Sequence, residues 1–126
     1  MLNMKNEKNK EFKKRLYSLI LRTIKLVESA EKNQTTVIIG GQLIRSITSI
    51  LANYTEGYAA SSKRDYANYF SYCLKSANES KVWVSLLKDT DNVDKEEADS
   101  ILQELDEISN IFGSSILTLR GKRKNI

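Results

Sequence analysis

Apolar residues return at helical spacing in four stretches of this chain. At 100° per residue, Phe12, Leu16, Leu19, Ile20, Thr23, Leu26 and Val27 fall on one side of a helix predicted over 8–30. Leu21 and Ile24 lie off that stripe, so this helix is apolar over more than one face. A second helix is predicted over 37–58, with Leu43, Ile47, Ile50, Leu51 and Tyr54 along one side. The β-branched run Thr35 to Ile39 is short and leads straight into it. The hydroxyl of Thr35 or Thr36 suits its N-cap, and Gly40-Gly41 in its first turns predicts a frayed or 3₁₀ start. A third helix over 63–88, capped by Ser61 or Ser62, lines up Tyr66, Phe70, Cys73, Ala77 and Val84. The fourth, over 94–120, carries Ala98, Ile101, Leu105, Ile108, Phe112, Ser115 and Leu119. Asp94 is its expected cap, Glu97 stands at the capping-box position and Gly121 suits its end. Residues 121–126 form a basic tail. Proline is absent and only five glycines occur, so little interrupts long helices. Short connections make antiparallel neighbours, and the expected fold is one all-α domain over 1–126, an antiparallel up-down-up-down four-helix bundle.

Two polar or mixed stripes stand apart from these apolar ones. Gln42, Arg45, Ser49, Asn53 and Glu56 line the second helix opposite its core side. Hydrogen-bonding side chains of this kind point to contact with another surface rather than to simple solvation, and Arg45 is expected to pair with Glu79 or Glu56. On the third helix Tyr72, Glu79, Trp83 and Leu86 form a second stripe. It reads either as a wide core face closed by Trp83 or as a subunit interface built on an aromatic anchor.

The same residues carry a family likeness. Gln42, Leu43, Arg45, Ser49, Ile50, Ala52, Asn53, Glu56 and Gly57 are followed by Ser62, Lys63, Asp65 and Tyr66, then by Glu79, Trp83, Leu86 and Leu87. This pattern, over the middle third of the chain, resembles the bacterial four-helix-bundle proteins first met as reading frames in intervening sequences of 23S ribosomal RNA genes. The resemblance implies a homopentameric bundle. One related branch, the accessory variability determinant of diversity-generating retroelements, accompanies a reverse transcriptase as a nucleic-acid-binding subunit. A reverse transcriptase and RNA or DNA are therefore the partners it implies.

Charge adds a polarity that the net +4 conceals. In an up-down-up-down bundle, the start of helix one, the turn between helices two and three and the C-terminus share one end. That end collects Lys5, Lys8, Lys10, Lys13, Lys14, Arg15, Lys63, Arg64, Arg120, Lys122, Arg123 and Lys124. Of these, Lys10, Lys13, Lys14, Arg15, Lys63, Arg64, Arg120, Lys122, Arg123 and Lys124 are the candidate phosphate contacts. The opposite end gathers Asp89, Asp91, Asp94, Glu96, Glu97 and Asp99 against Lys88 and Lys95. Acids at the start of helix four and bases at its end complement its macrodipole; a lysine-rich start to helix one does not. Parallel subunits in a ring would concentrate this end into a patch for polyanions. Lysine-rich termini also serve as plain solubilising segments, and no zinc finger, RNP aromatics or helix-turn-helix accompanies them.

Several chemistries drop out. The chain has no histidine, which removes His-based triads and histidine metal sites, including the Glu-x-x-His pairs of di-iron bundles and the Arg-x4-His ribonuclease motif. No Walker A or dinucleotide loop is present. Glu96, Glu97, Glu104 and Glu107 read as a solvated face. No cofactor, metal or catalytic residue is expected, and the chain is not read as an enzyme. The single Cys73 cannot form an internal disulfide and lies on the core side. With no signal peptide and no apolar run of membrane-spanning length, the expected compartment is the cytoplasm, with no membrane partner. Two functional readings follow: a non-catalytic oligomeric adaptor whose basic end binds nucleic acid, or a self-assembling structural protein with an unknown protein partner.

Overall fold

The computed structural model describes residues 2–121, with side chains from Glu7 onward. It consists of four helices, α1 (Leu2–Glu28), α2 (Gln34–Tyr58), α3 (Lys63–Asp89) and α4 (Lys95–Leu119). Helices adjacent in sequence are adjacent in space, α1 and α4 close the ring, and among the described residues the diagonal pairs do not approach backbone to backbone. This is the up-down-up-down bundle that the periodicity and short loops predict.

Two boundaries depart from expectation. The first helix begins at Leu2 rather than residue 8. The second begins at Gln34, because Asn33, not Thr35 or Thr36, is its cap. The Asn33 side chain accepts from the Thr36 N–H at 3.0 Å, and the Thr36 hydroxyl accepts from the Asn33 N–H at 3.1 Å. That reciprocal box satisfies two donors at once and fixes a regular α-helical start. Gly40 and Gly41 therefore sit inside a continuous helix, and no frayed turn precedes them. Ser62 and Asp94 cap α3 and α4, accepting from the N–H groups of Asp65 and Glu97. Gly121, at φ 70°, supplies the left-handed residue after α4.

The core changes character along its length. At the end that holds the start of α1, rings of Phe12, Tyr54, Phe70 and Phe112 meet with centroids 5.1–6.3 Å apart. Tyr58 and Tyr66 extend that cluster outward. Burial pushes the Tyr54 phenol well above its ordinary pKa, and its hydroxyl donates to Asn9 Oδ1 at 2.7 Å. Beyond the rings the core is aliphatic, with Leu43, Ile47, Leu87, Ile101, Leu105 and Ile108 fully buried. Cys73 is buried as expected; desolvation pushes its thiol up to about 12, far from a thiolate at neutral pH.

The α2–α3 seam is the closest in the bundle. Ser46 and Ser80 hydroxyls meet at 2.7 Å, and Ser76 Oγ donates to Ser49 Oγ at 3.1 Å. A Cβ added at Gly57 would lie 2.7 Å from Tyr69 Cβ, an atom close to the backbone and unable to swing away. Gly41 has open space around it. We expect Gly57→Ala to destabilise the fold by about 1–3 kcal/mol. Gly41→Ala should stabilise it by about 0.5–1 kcal/mol, since it adds helix propensity without a clash. Denaturant midpoints moving in opposite directions check both.

Candidate nucleic-acid interface

The helix order brings the first turns of α1, the α2–α3 turn and the end of α4 to one end of the bundle. Lys8, Lys10, Lys14, Lys63 and Arg64 are exposed there and Lys13 is half-buried. Among the described residues none of these six forms an ion pair; the cations that do are Arg15, Arg22, Lys81, Lys88 and Lys95. Arg120 is exposed and donates to Ser71 Oγ at 3.2 Å. Lys122, Arg123 and Lys124 lie outside the described residues.

Arg15 does not belong to this set. Its Nε and Nη2 donate to Glu104 at 2.7 and 2.8 Å, and Nη2 also reaches Glu107 at 3.2 Å. A guanidinium held bidentately by one carboxylate and touched by a second has little left for phosphate. One heptad later, Arg22 donates to Glu97 at 3.1 Å and to the Ser100 hydroxyl at 2.6 Å. The α1–α4 seam is thus a ladder of two arginines facing two glutamates. Glu104 and Glu97 are not the solvated face that their polarity suggests, and the Glu104 side chain is only 20% exposed. Glu97 stands at the capping-box position, yet its carboxylate serves Arg22. A sequence signal was present: arginines seven apart on one helix and glutamates seven apart on its antiparallel neighbour.

Toward the opposite end some of the acids are ion-paired, while Asp89 and Glu96 form no ion pair among the described residues. Lys88 pairs with Asp99 at 2.6 Å, Lys81 with Asp106 at 3.0 Å and Lys95 with Asp91 at 3.0 Å. The loops there are stitched together by Glu31 N–H to the Asn92 carbonyl and Asn33 Nδ2 to Asn92 Oδ1. Among the described residues no three His, Cys, Asp or Glu side chains converge as a metal site.

The candidate interface residues gather on the outer faces of α2 and α3. Gln42, Arg45, Glu56, Tyr72 and Glu79 are exposed; Ser49, Asn53 and Trp83 are half-buried. Asn53 Nδ2 donates to the Ser49 carbonyl and hydroxyl at 2.9 and 3.0 Å, and Ser49 continues to Ser76. Those three form a real network. Arg45 does not join it: it is exposed, and the expected pairing with Glu79 or Glu56 is absent among the described residues. Trp83 packs on the core edge, but its Nε1–H is buried without an acceptor.

Four long helices packed in sequence order around one apolar core define the class of this protein as a four-helix bundle. The sequence profile of the 23S rRNA-intervening sequence protein family matches residues 8–114, and the chain belongs to that family. It also resembles a solved Bacteroides thetaiotaomicron protein described as of unknown function from the S23 ribosomal protein family. The two share 32% identity with a TM-score of 0.76, over 82% of this chain and 96% of the other. A comparison with curated proteins finds no match.

The ladder sets a pH dependence. The hydrogen bond from Arg15 holds the Glu104 carboxyl below the usual glutamate range, with Arg22 and the bond to Glu107 acting in the same direction. A depressed folded-state pKa contributes stability that is present above the unfolded value and lost as pH falls through the folded one. Glu104→Gln should therefore cost about 1 kcal/mol at pH 7. Its denaturation curve should converge on that of the wild type as pH falls from about 5 to about 3.

Proposed function

We propose that the protein is a non-catalytic, self-assembling helical adaptor that holds RNA or DNA through the basic end of its bundle. The observation that carries this reading is the crowding of unpaired cations at one end. Lys8, Lys10, Lys13, Lys14, Lys63 and Arg64 gather there with no carboxylate partner among the described residues, whereas Lys88 and Lys95 toward the other end are held by Asp99 and Asp91. Unpaired, solvated cations crowded at one end favour a polyanion by counterion release, with little base preference. A partner such as a reverse transcriptase would supply the chemistry, and the bundle would supply the grip on its template or product.

Assembly rests on α2 and α3. Against the sequence expectation, α2 is long and apolar enough by length and composition to cross a membrane, yet only 33% of its most apolar 18-residue stretch is buried in the bundle. In the bundle the buried side of α2 is the stripe of Leu43, Ile47, Ile50 and Tyr54, and Ile38 remains on its surface. Beside it α3 exposes Tyr72, Val82 and Leu86 around the unpartnered Trp83 N–H. Apolar surface with an aromatic anchor of this sort suits a subunit contact; a homopentamer is the arrangement the family likeness suggests.

Two experiments test the reading. In the first, binding of labelled RNA and DNA should fall with salt, at a log–log slope of about −0.9 per phosphate neutralised on duplex DNA and about −0.7 on single strands. Replacing Lys10, Lys13, Lys14, Lys63 and Arg64 by Glu should abolish binding, while Lys25→Glu with Lys32→Glu leaves it nearly unchanged. A wild-type protein that retains neither probe at low salt would leave the structural, protein-binding role in its place. In the second, sedimentation should give a multiple of the 14.4 kDa chain mass. Tyr72→Glu with Leu86→Glu should reduce it to monomer without loss of helical circular dichroism. A wild-type monomer at micromolar concentration would overturn the assembly.

A further inference from the structure

Tyr17 stands apart from the other tyrosines and the phenylalanines. The remaining five tyrosines and all three phenylalanines have ring partners within the chain. Tyr17 has none among the described residues and is 58% exposed. It sits on the outer side of the α1–α2 seam, in a shallow groove of about 450 Å³ that it lines with Lys13, Lys14, Ser18, Leu21, Leu51 and Thr55. The Thr55 hydroxyl donates to its own helix, to the Leu51 carbonyl at 2.8 Å, and so does that of Thr48 one hollow further on, to the Ile44 carbonyl. With those hydroxyls turned back, Leu21 and Leu51 make the groove mainly apolar beside Tyr17, with the Ser18 hydroxyl on its wall.

The cations are spaced to match. Lys10, Lys13 and Lys14 precede Tyr17 by one to two turns, and none of them is ion-paired among the described residues. A side-by-side arrangement of unstacked ring, apolar floor and free ammonium groups is what an unpaired nucleotide needs. Its base gains by stacking and its phosphates by charge. A duplex hides its bases and would use only the lysines. Glu56, the one carboxylate on the wall of the adjoining hollow, limits how far along α2 the phosphates can run.

We propose that the α1–α2 groove is a single-strand binding site, in which Tyr17 stacks a base while Lys10, Lys13 and Lys14 take the flanking phosphates. The proposal rests on the nucleic-acid reading above and narrows it to single strands. The test is fluorescence anisotropy with labelled 20-nucleotide oligo-dT and oligo-U, and with a 20-base-pair DNA duplex, at fixed low salt. Tyr17→Ala should weaken both single strands roughly tenfold or more and the duplex by less than twofold. Tyr17→Trp should retain single-strand affinity, and Lys13→Glu with Lys14→Glu should weaken all three probes. An effect on only one of the two single strands would assign the site to DNA or to RNA. If Tyr17→Ala leaves the single strands unaffected, or weakens the duplex equally, the stacking site is overturned while the basic-end reading stands. If the wild type binds no probe, both fail. If Tyr17→Ala changes the sedimenting mass, the groove is a subunit contact and the proposal falls. It falls too if an acidic amphipathic helical peptide binds the groove more tightly than either oligonucleotide.

Discussion

Everything in this bundle is arranged around how closely α2 can approach α3. Small residues set that distance: Ser46 against Ser80, Ser49 against Ser76, and Gly57 beneath Tyr69. The hydroxyls bond to one another across the seam, so the polar atoms that close approach buries are satisfied. With those two helices locked, α4 packs on α3 and α1 packs on α2, each on one flank. The last seam, between α1 and α4, is left the most open. Long arginines rather than short apolar side chains close it, and Arg15 and Arg22 reach the distance that leucines would not.

That division explains the electrostatics. The ladder takes up Arg15 of the basic end, holds Glu97 at the surface and draws Glu104 partly out of the solvent. At the acidic end, Lys81 and Lys88 tie α3 to α4 through Asp106 and Asp99. Internal pairing therefore consumes charge along the flanks and at one pole. Lys25, Lys32, Arg45 and Lys75 stay unpaired elsewhere among the described residues, but the densest group of unpaired cations lies at the other pole, so a modest net +4 is unevenly spread.

The helices were legible in the sequence because four apolar stripes at a period of 3.6 leave little alternative, and the short loops fix the neighbours. Ser62, Asp94 and Gly121 were legible as punctuation, since their side chains or backbone act locally. The start of α2 was not. By residue type Asn33 is a stronger cap than Thr35 or Thr36, and its reciprocal bond with Thr36 sets the boundary three residues before the expected one. The polar stripe on α2 was half legible. Ser49 and Asn53 do make specific bonds beside a neighbouring helix, but Arg45, one turn before Ser49, is exposed and forms no ion pair among the described residues. The arginine ladder depended on the antiparallel register of two helices far apart in sequence, which no local pattern contains.

The exposed surface is where the folded chain looks least finished. An isolated soluble bundle would place charge on the outer side of every helix, yet the 25-residue α2 carries only Arg45 and Glu56. Threonines 48 and 55 spend their hydroxyls on their own backbone, Ile38 and Leu51 flank them, and Trp83 leaves a buried N–H without an acceptor one seam away. Each feature costs little alone. Together they describe two outer faces, on α1–α2 and on α2–α3, that share a helix and meet water poorly. A face that carries lysines and a free ring fits a polyanion with exposed bases; one that carries aromatic and aliphatic side chains without cations fits another protein surface. The placement of Lys10, Lys13 and Lys14 on the first, and of Tyr72, Trp83 and Leu86 on the second, is what distinguishes their roles.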